Sequence, residues 1–152
     1  MKKQILALAL LLTVSFSSIF ANTNNREGVT ERVMDAFRKD FASAQEVKWE
    51  AGKEYSKATF KMNEQVLFAY YTTEGNLLAV TRNMLSGQLP INLQSDLKKN
   101  YNGYWITDLF EMAANNETSY YVTLEGSDYN VVLKSTGING WEVYKKDKKN
   151  AQ

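Results

Sequence analysis

Neither cysteine nor histidine occurs anywhere in the chain. That excludes Cys–His and Ser–His–Asp nucleophilic catalysis, the usual zinc sites and disulfide exchange. Without disulfides the fold must stand on its apolar core, feasible at this length although the buried fraction is modest. Proline occurs once, at Pro90. No glycine-rich phosphate loop is present: Gly137-Ile138-Asn139-Gly140 is a turn between strands, with no helix after it. Asn115-Asn116-Glu117 and Gly126-Ser127-Asp128 are too sparse in carboxylates for a calcium loop. No catalytic residue, cofactor or metal ligand is assigned.

Charge is also scarce in excess. Eighteen Lys and Arg face 17 Asp and Glu, a net +1. Lys2-Lys3, a short apolar run over residues 5–14 and a small residue at Ala21 form a secretory signal peptide, residues 1–21. The run falls short of the ~20 residues that span a bilayer. Cleavage after Ala21 removes two of the 18 basic residues and leaves 16 against 17 acidic ones, net −1. Such a balance offers no global attraction to nucleic acid or anionic membrane. The expected location is the periplasm or the exterior, with no membrane span left after processing.

The mature chain reads as one plan used twice. Residues 22–28 are a loose lead-in, 29–84 a first α+β repeat, 85–146 a second, and 147–152 a basic tail. In the first, Val29, Val33, Ala36, Phe37 and Phe41 fall on one helical face. Strands follow at Tyr55–Met62, 65–71 and 76–80, after a strand-like Val47-Lys48-Trp49. In the second, Pro90 opens a helix whose Leu93, Leu97 and Tyr101 share a face, and Asn102-Gly103 stops it. Strands follow from Trp105, around Gly126-Ser127 and over residues 140–144; a mobile tail begins at Lys145. All three tryptophans are expected in the core or half-buried in the sheet.

Register assigns the faces. A two-residue turn at Asn63-Glu64 sets Phe60 opposite Leu67, Ala58 opposite Ala69 and Ser56 opposite Tyr71, on the face beneath the first helix. Lys57 opposite Tyr70, Thr59 opposite Phe68 and Lys61 opposite Val66 make an aromatic–lysine face open to solvent or a partner. A tight turn at Gly126-Ser127 pairs Leu124 with Tyr129, Val122 with Val131 and Tyr120 with Leu133 as core, leaving Tyr121, Thr123, Asn130 and Lys134 opposite. Glu50, Glu54, Glu64, Glu74, Asp108, Glu111 and Glu125 lie near strand ends and turns, where carboxylates are solvated.

Phe37-Arg-Lys-Asp-Phe41-Ala-Ser-Ala44-Gln-Glu-Val47-Lys-Trp49 resembles the helix-end signature of the PepSY-like proteins. That family, formerly a domain of unknown function, is common among exported Bacteroidetes proteins and related in fold to β-lactamase inhibitor protein (BLIP). Leu89-Pro90 and Tyr101-Asn102-Gly103-Tyr104-Trp105-Ile106 are similar to the motifs of its second half, with Ala42 and Asn102 standing where the family often has proline. The resemblance implies an α+β fold, a tandem duplication with both helices on one face of a continuous antiparallel sheet. It also implies a role in the cell envelope, inhibitory in BLIP itself.

The sequence-level expectation is therefore an exported, non-enzymatic module that binds a protein or peptide of the envelope. Phe68, Tyr70, Lys57, Lys61 and Tyr121 are the candidate contact residues. The alternative is a small-ligand sensor or carrier with an apolar pocket between helices and sheet.

Overall fold

A computed structural model describes residues 28–149. The expected signal peptide, its cleavage point, residues 22–27 and residues 150–152 lie outside the described residues. The order is a helix and four strands, given twice. The first half holds α1 (Glu31–Asp40), β1 (Gln45–Ala51), β2 (Tyr55–Met62), β3 (Gln65–Thr72) and β4 (Leu77–Asn83). The second holds α2 (Ile91–Asn100), β5 (Trp105–Ala114), β6 (Glu117–Glu125), β7 (Tyr129–Ser135) and β8 (Glu142–Lys148). The eight strands form one antiparallel sheet in sequence order.

Local chemistry explains the helix limits. The Thr30 hydroxyl accepts from the Val33 N–H at 3.3 Å, an N-cap, and Arg38 and Lys39 sit in the last turn beside the exposed carbonyls. Pro90 caps α2 from just outside rather than within its first turn. Phe41 and Tyr101 end the two helices in the same way, each N–H bonding four residues back and each carbonyl accepting from the residue three ahead.

Both helices cover the same face. Val33, Met34 and Phe37 of α1 pack on Trp49, Ala58, Phe60, Ala69 and Tyr71. Leu93 and Leu97 of α2 pack on Leu109, Val122, Leu124, Val131 and Leu133. The ladder carries one parity across the sheet, so these two sets lie on one side of it. Between the helices, on the same side, Arg82 of β4 pairs with Glu111 of β5 and bonds Gln65.

The first hairpin has the register read from sequence, Lys57↔Tyr70, Ala58↔Ala69 and Phe60↔Leu67. The second is shifted by two: Leu124 pairs with Val131, Val122 with Leu133 and Tyr120 with Ser135. The tight turn is present but lies at Ser127-Asp128, closed by the Gly126 N–H donating to the Tyr129 carbonyl, one residue beyond the expected Gly126-Ser127. A shift of two keeps every side chain on its face, so the core assignment holds. The basic segment from Lys145 is a paired edge strand, not a mobile tail: Lys145, Lys146, Asp147 and Lys148 oppose Val132, Val131, Asn130 and Tyr129. Lysine-rich composition there suits a sheet edge that must not recruit further strands. Trp105, expected in the core or half-buried in the sheet, is 80% exposed, whereas Trp49 is buried and Trp141 anchors to α2 through Nε1 donating to the Leu93 carbonyl at 3.0 Å.

Candidate binding surface

The helix-free face carries its own cluster: Tyr70, Ala79, Phe110, Met112, Tyr121 and Val132 are buried, with Tyr55, Phe68, Leu78, Ala114 and Tyr144 packed against them. Register places Lys57, Phe68, Tyr70 and Tyr121 here as expected, with Lys61 further out on β2. Their exposure departs from the expectation. Tyr70 and Tyr121 are each 2% exposed although no helix or strand among the described residues lies over them.

Side chains of the same face supply the cover. Tyr55 tilts over Tyr70 with ring centroids 5.7 Å apart, and Tyr144 meets Tyr121 edge-on at 5.7 Å. Phe110 stacks on Tyr121 at 5.1 Å. The Lys57 ammonium lies 5.2 Å from the Phe68 ring centre and that of Lys134 lies 5.7 Å from Tyr121. Contacts within this one layer of side chains thus bury Tyr70 and Tyr121 on the helix-free face. Four bulges bend the sheet: extra residues stand on β1 against β2, on β4 against β3, on β5 against β6 and on β8 against β7. Leu78 and Tyr144 are the extra residues of β4 and β8, and both point into the helix-free cluster.

The candidate residues therefore divide by role. Tyr70 and Tyr121 form the floor, Phe68 and Lys57 are half-buried on the surface, and Lys61 is at the exposed rim, paired with Glu46 at 2.7 Å. Burial holds the Tyr121 phenol up at about 12. The Tyr70 phenol is raised further, again by burial, even though its hydroxyl bonds Thr81. Lys57 is held by Glu50 at 3.0 Å.

Asp108 was missed as a functional candidate. Grouped with the solvated carboxylates, it lies half-buried on this helix-free face, opposite Thr123 and just past the β5 bulge. Burial raises its carboxyl above the ordinary value, partly offset by the Leu109 backbone N–H. Glu111 differs from the solvated expectation too, being only 21% exposed and ion-paired with Arg82. No signal in the strand pattern flags Asp108, because the bulge at Thr107 decides which face it joins. On the helix side, clefts of about 250 and 210 Å³ open beside the C-terminal ends of α1 and α2. Among the described residues no group of three acidic side chains converges as a metal site would require, and no helix is long and apolar enough to cross a membrane.

No protein-family profile matches the chain, and no curated protein matches it in sequence. Solved structures do match in shape. A BLIP-like protein from Bacteroides fragilis superposes with a TM-score of 0.68 at 20% identity, covering 84% of this chain and 92% of that one. A DUF2874 family protein from Bacteroides ovatus gives 0.66 at 14% identity, covering 80% and 89%. A candidate periplasmic protein from Bacteroides eggerthii gives 0.67 at 13%, covering 79% and 88%. Two helices on one face of a continuous eight-stranded antiparallel sheet thus make this chain an α+β protein with the BLIP-like fold of these Bacteroides structures.

Proposed function

We propose that the protein is an exported, non-enzymatic binding module that takes a protein or peptide partner on the helix-free face of its sheet. The observation that carries this reading is the face itself. It is aromatic at its centre, lysine-bearing at its margins and continuous across both halves, and no described element covers it. An aromatic centre within a polar rim is the composition of a protein interface. The periplasmic description of one structural neighbour supports a place in the envelope, as does the basic, apolar and small-residue pattern of residues 1–21. The one neighbour described as BLIP-like supports binding over catalysis.

The clefts beside the helices, about 250 and 210 Å³, fall below the ~300–1,000 Å³ of ordinary small-molecule sites, which disfavours a carrier. A photo-crosslinking residue placed at Lys61 or Asn130, on the helix-free face, should capture one envelope partner in living cells. The same residue at Lys39 or Lys99, on the helix side, should not. Equal capture from both sides, or none from the helix-free side, would sink the proposal.

A further inference from the structure

We infer that the helix-free face holds a receptor point for a single lysine ammonium, centred on Asp108, into which the partner inserts a lysine side chain. This rests on the docking reading above and names the chemistry it recognises. A depression of about 20 Å³ lies where β2 to β5 run side by side, lined by Lys57, Phe68, Tyr70, Thr81, Asn83, Asp108 and Phe110. Its size admits one water-sized group. An ammonium fits that space, whereas the planar guanidinium of arginine does not.

The lining suits a cation. The rings of Phe68 and Phe110 line it, and that of Phe68 already draws the Lys57 ammonium to 5.2 Å from its centre. Asp108 supplies the counter-charge, while the Thr81 hydroxyl and Asn83 amide oxygen offer acceptors to the three N–H donors of an ammonium. Asp108 makes no ion pair among the described residues, its carboxyl accepting only from the Leu109 backbone N–H on a partly desolvated face. Lys57, which also lines the depression, is ion-paired with Glu50 at 3.0 Å and does not pair with Asp108. Burial raises the Asp108 carboxyl, and an ammonium set beside it would draw it back down.

The test uses Nα-acetyl-lysine methylamide titrated into the labelled mature protein and followed by amide NMR. The norleucine analogue, equal in length and uncharged, and the arginine analogue run in parallel. Saturable shifts at Thr81, Asn83 and Asp108 are expected with the lysine probe alone. Asp108→Asn should weaken them at least about tenfold, the scale of a lost charge-assisted contact, while the remaining spectrum stays unchanged. Equal response to norleucine, shifts spread over the surface carboxylates, or no saturable response would overturn the inference. The crosslinked partner separates the two levels. If capture persists at full strength in Asp108→Asn, the lysine receptor is wrong and the docking face stands. If capture on the helix-free face fails in the native protein, the docking reading itself falls.

Discussion

Tyr70 and Phe60 sit on opposite faces of the sheet and are buried alike, 2% and 1% exposed. Truncating either to alanine should cost ~3–5 kcal/mol, the range for a packed aromatic, measured by urea denaturation of the two variants side by side. Tyr70→Phe keeps the packing and removes only the Thr81 partner, so it should cost about 1 kcal/mol. The sequence placed Tyr70 on the right face and misjudged its burial, because alternation reports the side of a sheet and not the side-chain contacts that close over it. Titration carries the same information. Tyr70, Tyr71 and Tyr121 all ionise late because burial disfavours the phenolate. A phenol whose folded value is raised above 10 contributes stability that is whole below pH 10. For Tyr121 that stability is lost as pH climbs from 10 toward about 12. Absorbance at 295 nm should show this delayed ionisation coinciding with loss of circular dichroism. Asp108 has the same sign at the acid end. Its raised carboxyl burdens the folded state above pH 3.8, so Asp108→Asn should raise Tm at neutral pH and lose that advantage in acid.

At the scale of elements, the β2–β3 turn places Asn63 and Glu64 at φ 51° and 64°. Two positive φ values make the type I′ turn that matches strand twist, and glycine is its preferred second residue. Glu64→Gly should therefore stabilise by ~0.5–1 kcal/mol, the cost of holding a side chain in that region, read as a higher urea midpoint at unchanged slope. Asn116, at φ 61° in the β5–β6 turn, offers the same test. These two-residue turns explain why the first hairpin was legible residue by residue. The β6–β7 turn was not, because it centres on Ser127-Asp128, closed by Gly126 donating to the Tyr129 carbonyl, one residue beyond the Gly126-Ser127 that composition suggests. The last strand was lost for another reason. Lys145 to Lys148 read as a solvated end by charge, yet an edge strand has one face in water and needs charge to stay unpaired.

The whole molecule repeats its devices without dividing into two. Bulges recur at corresponding pairings, in β1–β2 and β5–β6 and again in β3–β4 and β7–β8. Each helix has its own cluster of core residues. Were that all, each half would unfold by itself. The helix-free cluster argues otherwise, since Tyr70 and Ala79 come from the first half while Phe110, Met112, Tyr121 and Val132 come from the second. Hydrogen-bonded pairing from Val80↔Ala113 to Asn83↔Phe110 joins the halves, and Arg82–Glu111 seals the other side. Unfolding one half alone would break the cluster that Tyr70 and Ala79 share with Phe110 and Met112 and leave an unpaired central strand edge, both costly. The two halves should therefore unfold in one transition. Urea curves from tryptophan fluorescence and from far-ultraviolet circular dichroism should coincide, with a slope fitting exposure of the whole chain. Phe60→Ala in the first half and Leu133→Ala in the second should each lower that single midpoint. Two separated transitions, with Phe60→Ala moving only one, would mean that the helix-free face is a boundary between two folding units rather than a shared core.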